Sequence, residues 1–210
     1  VRGTVLPVTE DRTHIVATYD DGVEVEGEHD IDEPPEDRYT HRIKKLETRP
    51  VAHITNDVKQ AIEAADTIVL GPGDLYTSLL ANCVVEGMPE AIQASKAKFV
   101  FVTNLMTSQG QTHEMTAQGH VDEVLRYVGR APDVILVNTG TVSDTLLKRY
   151  AEAFQFPVED DADCVGCEIV RADLLDDTEV KKKEGDVLKR SLVRGDAQKM
   201  GDVIYDIIIK

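Results

Sequence analysis

The sequence predicts an α/β fold, namely a doubly wound, Rossmann-like parallel sheet with a small β-hairpin region near the N-terminus. Three short apolar runs, at residues 67–70, 98–104 and 133–138, have the composition of buried parallel strands. Each run is followed by a turn that contains Gly or Asn, and segments with helical periodicity separate the runs. Strands that alternate with helices at this spacing indicate a parallel sheet.

Length and charge limit the classes of function. The chain has 210 residues, of which 41% are hydrophobic and 30% charged, as in globular proteins. We predict a hairpin or extended region at 1–48 and a Rossmann-like ligand-binding domain at 49–210. The sequence contains neither a signal peptide nor an apolar stretch long enough to span a membrane, so we expect no membrane association. The net charge of −16 would repel phosphate backbones, so we expect no nucleic-acid partner.

Three cysteines are present, two of them in the C-x-x-C pair Cys164 and Cys167, and the third is Cys83. A structural zinc site needs four ligands, and no second pair follows. A redox motif of the thioredoxin kind would lie between a strand and a helix, whereas an acidic loop precedes this pair. We therefore interpret all three as structural or incidental thiols of a protein in the reducing cytoplasm.

The N-terminal part is predicted to begin with a hairpin. Residues 14–19 and 23–26 flank Asp20-Asp21-Gly22, which is a strong turn signal. Residues 28–48 are polar and contain two prolines, so we expect a loop or a short extended stretch there. A further strand is predicted at 49–54, followed by a helix at 57–65 that Asn56 caps.

The remaining elements follow the α/β alternation. Pro89 fits the first turn of a helix at 88–95, and further helices are predicted at 121–128 and 143–154. Residues 168–170 and 188–193 are predicted as strands, and a helix at 197–209 closes the chain.

The turn after the first apolar run is the leading candidate for a binding site. A strand, a Gly-rich turn and a helix start form a natural anion site, because Gly allows the backbone to approach a ligand and the first helical N–H groups point towards it. Such motifs also occur as simple turns without a ligand. The candidate residues are the turn Gly71, Pro72 and Gly73, the potential helix cap Asp74, and the hydroxyls of Tyr76, Thr77 and Ser78.

Polar residues also follow the other two runs. Asn104 ends one run, and Asn138 with Thr139 ends the other. Ligands of parallel α/β sheets bind beyond the carboxyl ends of the strands, so two amides at equivalent strand ends favour ligand contact over simple turn capping. The polar loop from Thr107 to Thr112 suits a phosphate or a sugar, or it is an ordinary surface connection.

Two histidines near this loop, His113 and His120, were considered as general bases. Neither is accompanied by a nucleophile or by metal-ligand spacing, so catalysis is the less favoured interpretation.

The motifs together carry a resemblance to a known family. The chain resembles the gluconeogenesis factors, which belong to the superfamily of 2-phospho-L-lactate transferases of deazaflavin-coenzyme synthesis. The similarity runs in collinear order along nearly the whole chain. The Gly-rich nucleotide loop with which the family opens is absent, so we expect an N-terminally incomplete chain. The matching segments are 5–9, 21–28, 71–79, 102–112, 133–140 and 192–196.

The resemblance implies a cytoplasmic regulator of carbon use and cell shape that binds a nucleotide-sugar such as UDP-N-acetylglucosamine, as a possible homodimer. It implies that Tyr150 stacks on the base and that Arg194 contacts the diphosphate, with both side chains reaching solvent. Here Gly195 replaces the family's usual His after that arginine. The alternative is a 2-phospho-L-lactate transferase with magnesium, for which no matching carboxylate pair can be placed from the sequence.

Overall fold

The structure, a computed structural model, describes residues 3–176 and 192–209. These residues form two β-sheets. The strands are β1 (His14–Tyr19), β2 (Glu24–Glu26), β3 (Ile43–Arg49), β4 (Thr67–Leu70), β5 (Lys98–Val102), β6 (Val134–Asn138) and β7 (Glu168–Ala172). The helices are α1 (Glu28–Asp32), α2 (Asn56–Ala64), α3 (Ala81–Cys83), α4 (Met88–Ala94), α5 (Ala117–Val128), α6 (Asp144–Ala151) and α7 (Ala197–Ile209). A 3₁₀ turn (Glu36–Arg38) and a π-helical turn (Leu75–Leu80) complete the elements.

The larger sheet is parallel, with the strand order β4-β5-β6-β7. Its side chains alternate between two buried faces. Phe99 and Phe101 of β5 pack in the main core with residues of α4 and α5, whereas Val100 packs on the other face with Ile207 of α7. Because both faces are covered, the strands are nearly continuously apolar. The predicted α/β fold with a parallel sheet is confirmed.

The smaller sheet is antiparallel, with the order β2-β1-β3. The predicted hairpin forms its first half. A loop or a short extended stretch was predicted at 28–48, and only the extended part of this prediction is correct, because the segment contains α1, the 3₁₀ turn and most of the regular strand β3. Ile43 and Leu46 are buried in the main core and flank the exposed Lys44 and Lys45, where the pairing of β3 with β1 shifts register. The many charges that suggested a loop therefore belong to the solvent face of a strand.

Two further expectations need correction. The run at 67–70 was predicted as a buried strand, but β4 is an edge strand of the described sheet and is only half-buried, with Val69 38% exposed. The strand predicted at 49–54 is absent, because β3 ends at Arg49 and only a single bridge joins His53 to Glu86.

Side-chain caps mark the starts of α2 and α5. Thr55, rather than Asn56, caps α2 by accepting a hydrogen bond from the backbone N–H of Val58 at 3.3 Å. α5 begins four residues earlier than predicted, because the Thr116 hydroxyl accepts from the Gly119 N–H at 3.2 Å. α6 is shorter than predicted, whereas α7 has the predicted bounds.

Near the C-terminus, Cys164 and Cys167 form a disulfide with a Cα–Cα distance of 5.7 Å, so their interpretation as thiols was wrong. Cys83 is free and buried, and burial raises the pKa of its thiol to about 12. Of the strand predicted at 188–193, residues 188–191 lie outside the described part, and Leu192 and Val193 are not in a strand. No helix in the described ranges is long and apolar enough to cross a membrane.

Candidate functional site

A cavity of about 200 Å³ opens at the carboxyl ends of β5 and β6. Two connections form its walls: the segment that follows β5, and the β6–α6 turn with the first part of α6. The chain after α6 returns to close the third side. The lining residues are Thr103, Asn104, Leu105, Val137, Asn138, Gly140, Thr141, Val142, Leu147, Pro157 and Val158. The cavity therefore lies where ligands of parallel α/β sheets bind.

Asn104 presents an unused acceptor at this cavity. Its Nδ2 donates a hydrogen bond to the Gly73 carbonyl at 2.9 Å, which fixes the orientation of the amide. Its Oδ1 is buried and has no hydrogen-bond partner among the residues that the structure describes. A buried acceptor without a donor is costly, so this atom is suited to accept a hydrogen bond from a ligand N–H or O–H group.

Asn138 lines the same cavity, but its side chain is hydrogen-bonded to the protein itself. Its Oδ1 accepts from the backbone N–H groups of Gly140 and Leu174, both at 3.0 Å, and its Nδ2 donates to the Gly140 carbonyl. The adjacent Thr139 has an exposed side chain, and its N–H bonds to the Ala172 carbonyl at 2.8 Å. Within residues 3–176 and 192–209, Asn104 is thus the one of the two strand-end amides that keeps an unsatisfied atom.

The Gly71-Pro72-Gly73 turn connects β4 to the π-helical turn beside β5. Gly71 has φ +107, and a Cβ there would lie 2.9 Å from the carbonyl oxygen of Val102. Only glycine fits this close approach. The Gly71–Pro72 peptide bond is cis. The turn reaches the cavity through the Gly73 carbonyl, which holds Asn104.

The hydroxyls predicted to share this mouth point in different directions. Contrary to prediction, Tyr76 does not place its hydroxyl in this mouth, because its side chain is fully buried. The hydroxyl lies 2.9 Å from a Glu123 carboxylate oxygen and 3.2 Å from the Ile43 carbonyl. Burial and the Glu123 charge raise the pKa of Tyr76. Thr77 donates to Asp32 at 2.6 Å, and Ser78 is exposed. Because Tyr76, Thr77 and Ser78 are consecutive residues of the π-helical turn, their side chains point in different directions.

The loop from Thr107 to Thr112 is held by its own hydroxyls. Thr107 Oγ1 accepts from the Phe156 N–H at 2.9 Å, and Thr112 Oγ1 accepts from the Ser108 N–H at 2.8 Å. Both threonines are 2% exposed. These contacts place the 156–158 segment against residues 105–107 and so build one wall of the cavity. The two hydroxyls shape the site without facing a ligand.

Asp74 lies in a group of oxygen atoms that the sequence did not reveal. Its Oδ1 accepts from the Ser108 hydroxyl at 3.2 Å, and it makes no side-chain cap to the following helical turn, contrary to prediction. Although water reaches part of Asp74, the surrounding protein raises the pKa of its carboxyl, and the nearby Asp32 charge adds to that rise. Asp32 accepts from Thr77 and, at 2.9 Å, from Gln111 Nε2. The fold thus brings together two carboxylates that are 42 positions apart in the chain.

Tyr150 does not reach solvent, so that expectation was wrong. It is 9% exposed, and its hydroxyl accepts from the backbone N–H groups of Leu192 and Val193 at 2.7 and 3.0 Å. This anchors the segment that carries Arg194, whose carbonyl accepts from the Asp176 N–H at 2.9 Å. Tyr150 packs in one cluster with Val142, which lines the cavity. Its position therefore supports a role in holding the Arg194 segment rather than in stacking.

Neither histidine forms a catalytic arrangement with described residues. His120 is fully buried, its Nδ1 donates to the Thr116 carbonyl at 2.8 Å, and burial lowers its pKa. His113 is half-buried between the rings of Phe154 and Phe156.

Comparisons with known proteins agree with this architecture. A crystal structure of a UPF0052-family protein from Bacillus halodurans matches with a TM-score of 0.82 and 31% identity, covering 98% of this chain and 62% of that one. The gluconeogenesis factor of Bacillus subtilis is 30% identical over 214 residues, 99% of this chain and 62% of the relative. A Thermotoga maritima protein, provisionally given the same name, is 37% identical over 212 residues, 99% of this chain and 63% of the relative.

The chain thus spans a little under two thirds of the length of these relatives. The sequence model of the family described as 2-phospho-L-lactate transferase CofD matches residues 1–175. The resemblance predicted from the motifs is therefore confirmed, and the chain belongs to the CofD family, among relatives named gluconeogenesis factor.

Proposed function

We propose that this chain forms the nucleotide-sugar-binding part of a regulatory protein of the gluconeogenesis-factor kind, linked to carbon metabolism and cell morphogenesis. The observation that carries the proposal is the unsatisfied Asn104 Oδ1 in a cavity at the carboxyl ends of β5 and β6. An amide acceptor held in place by a second hydrogen bond suits a base N–H or a sugar hydroxyl.

The polarity of the cavity supports a ligand with both apolar and hydrogen-bonding parts. Thr103, Asn104 and Thr141 offer polar atoms, whereas Val142, Leu147 and Val158 form apolar walls. A nucleoside or an N-acetylated sugar has this mixed character, and its hydroxyls and amides need directed partners. Among the described lining residues none carries a positive charge, so a diphosphate would extend beyond the cavity towards Arg194.

The net charge of −16 opposes binding of a free dianion, so the ligand needs local contacts to offset the surrounding field. We therefore expect modest affinity that weakens steeply once a single polar contact is lost. We propose regulation rather than turnover, because neither histidine forms a catalytic arrangement with a nucleophile among the described residues.

Isothermal titration with UDP-N-acetylglucosamine, UDP, and N-acetylglucosamine tests the proposal and separates base, phosphate and sugar contributions. Asn104→Ala should weaken binding by about tenfold, as expected for one lost hydrogen bond of about 1.4 kcal/mol. Asn82→Ala is the matched control, because Asn82 is exposed and, among the described residues, its side chain bonds only to the Ser78 carbonyl. Equal affinities for wild type and Asn104→Ala would refute the site.

The second candidate is the transferase reaction, which the family description favours. That reaction needs a cation on the donor diphosphate, and magnesium would supply this positive charge. Incubating the chain with a phospholactyl nucleotide donor, magnesium and a deazaflavin alcohol tests it. Product formation at enzymatic rates would replace the regulatory proposal.

A further inference from the structure

Within residues 3–176 and 192–209, the two residues other than glycine that have a left-handed backbone lie beside one group of aromatic rings. Phe154, just after α6, has φ +54, and Glu114, directly after His113, has φ +55. Such positions favour glycine, so a bulky side chain there costs stability. Backbone strain of this kind clusters at ligand-binding sites, where a side chain serves a purpose other than folding. The two strained positions therefore mark these rings as a candidate binding surface.

The rings belong to Tyr39, His113, Phe154 and Phe156, which we call the aromatic patch. The ring centroids of Tyr39 and Phe154 are 6.0 Å apart, and the His113 centroid lies 6.4 and 6.3 Å from those of Phe154 and Phe156. All three pairs are tilted or edge-to-face, so none of them is a parallel stack. Phe154 and Phe156 are 42% and 39% exposed, whereas the two phenylalanines of β5 are fully buried. The patch thus presents aromatic surface to solvent.

One polar atom of the aromatic patch is unpaired. His113 Nδ1 is buried and has no hydrogen-bond partner in the described part of the chain, and Nε2 of the same ring is 3.9 Å from a Glu114 carboxylate oxygen. The backbone at His113 is fixed, because Arg42 Nε donates to its carbonyl at 2.5 Å. A buried nitrogen without a partner lowers stability, as the two strained positions do. Three features that weaken folding therefore coincide here, as is typical of a surface that serves binding.

The aromatic patch begins at the wall of the cavity. The Thr107 N–H donates to the Phe156 carbonyl at 2.7 Å, and the Phe156 N–H donates to the Thr107 hydroxyl at 2.9 Å. Val158, two residues further along the chain, lines the cavity. Two residues of extended chain span about 7 Å. The patch therefore lies within reach of a ligand that extends out of the cavity.

We propose that the aromatic patch binds the base of the nucleotide by stacking on Phe154 and Phe156, while Asn104 binds the sugar. This inference rests on the proposed function and deepens it, because it assigns the two ends of the ligand to two places. Ring faces recognise a planar heteroaromatic group without needing a charge. Tyr150, which the family resemblance assigned to stacking, is buried, so the base needs another aromatic surface.

Titration calorimetry with UDP and, separately, with N-acetylglucosamine tests this assignment. Phe154→Gly removes a ring and relieves the left-handed strain, so it should remain about as stable as wild type in thermal melts. Its affinity for UDP should fall about fivefold or more, and its affinity for N-acetylglucosamine should not change. Phe156→Ala should show the same selectivity, whereas Asn104→Ala should weaken N-acetylglucosamine binding alone. Tyr205→Ala is the matched control, because Tyr205 is 63% exposed on α7 and does not belong to the patch.

Phe154→Trp supplies a direct signal from the aromatic patch. The chain contains no tryptophan, so the emission of this variant reports on one position. A larger ring preserves stacking, so UDP should bind at least as tightly as to wild type. Uridine monophosphate should quench the emission, whereas ribose 5-phosphate, which has no base, should leave it unchanged.

The outcomes separate this inference from the proposed function. Unchanged UDP affinity in Phe154→Gly and Phe156→Ala, with binding of N-acetylglucosamine that depends on Asn104, would overturn the stacking and leave the proposed function intact. Ring-dependent UDP binding without any binding of N-acetylglucosamine would support the patch and remove the sugar site. The inference would also be overturned by a wild type that does not bind UDP, by weaker UDP binding in Tyr205→Ala, or by equal quenching with ribose 5-phosphate.

Discussion

Asn104 and Asn138 follow neighbouring strands of the same sheet and line the same cavity, yet their side chains make different hydrogen bonds. Asn138 makes three hydrogen bonds that close the β6–α6 turn and tie it to the segment after β7. In the described part of the chain, the Asn104 side chain makes one hydrogen bond, to the Gly73 carbonyl, and its oxygen accepts none. The difference shows that a polar residue at a strand end is informative about ligands only after its internal hydrogen bonds are counted.

The largest expected effect is on stability at Asn138. Asn138→Ala removes the acceptor for two backbone N–H groups, one of them on the fully buried Leu174. We expect a loss of about 3 kcal/mol in the free energy of unfolding, since unsatisfied buried donors cost roughly 1–3 kcal/mol each. Thermal and urea unfolding measure it. Asn138→Asp keeps both accepted bonds and should lose less; an equal loss would show that these bonds are not the cause.

Tyr150 belongs with Asn138, because its hydroxyl is also used inside the protein. Tyr150→Phe keeps the ring in its cluster but removes the acceptor for the Leu192 and Val193 N–H groups. We expect a loss of about 1–2 kcal/mol in stability. UDP-N-acetylglucosamine should bind more weakly, because the segment that carries Arg194 loses its anchor.

Arg194→Ala should weaken UDP binding without changing the affinity for N-acetylglucosamine. If Tyr150→Phe and Arg194→Ala are combined, their effects on UDP affinity should be less than additive, since both act on one segment. Full additivity would indicate that Tyr150 contacts the ligand by itself.

Asn104→Ala should show the opposite pattern from Asn138→Ala. The variant loses one hydrogen bond but also removes a buried oxygen without a partner, so the loss in stability should stay below about 1 kcal/mol. Ligand affinity should fall about tenfold, as stated above. A stability loss as large as that of Asn138→Ala would contradict the inference that Asn138 stabilises the fold whereas Asn104 mainly serves a ligand.

Local pattern was sufficient for much of the fold. The apolar runs that became β4, β5 and β6 were identified because strands buried in a parallel sheet are almost continuously apolar. α7 was identified from its apolar periodicity. β3 was missed because its solvent face carries Lys44, Lys45 and Glu47, and only its pairing with β1 reveals a strand.

The candidate site was only partly accessible from sequence. The turn at Gly71 and the two strand-end amides follow from strand topology. Their hydrogen-bond states do not, because the partners come from elsewhere in the chain, such as Leu174 for Asn138. The wall formed by residues 156–158 and the hydrogen bonds from Thr77 and Gln111 to Asp32 depend on long-range packing, for which the sequence contains no local signal.

The smallest predicted effect concerns the pH dependence of stability at Asp74. The pKa of this carboxyl is raised by partial burial and by Asp32, so folding favours its protonated form. Its contribution to stability is present below the unfolded pKa and is lost as the pH rises through the raised folded pKa. In EDTA at pH 7.5, Asp74→Asn should therefore melt slightly above wild type, and the two should converge at pH 4.

The difference should be small, about 0.5 kcal/mol or roughly 1–2 °C, because water screens part of the interaction.

Asp160→Asn is the contrasting control. The Arg171 guanidinium, 2.6 Å away, lowers the pKa of Asp160, so this pair contributes stability above the unfolded pKa that is lost as the pH falls through the folded one. Asp160→Asn should thus melt below wild type at pH 7.5. If Asp74→Asn melts below wild type in EDTA, the two carboxylates do not repel each other in the folded chain.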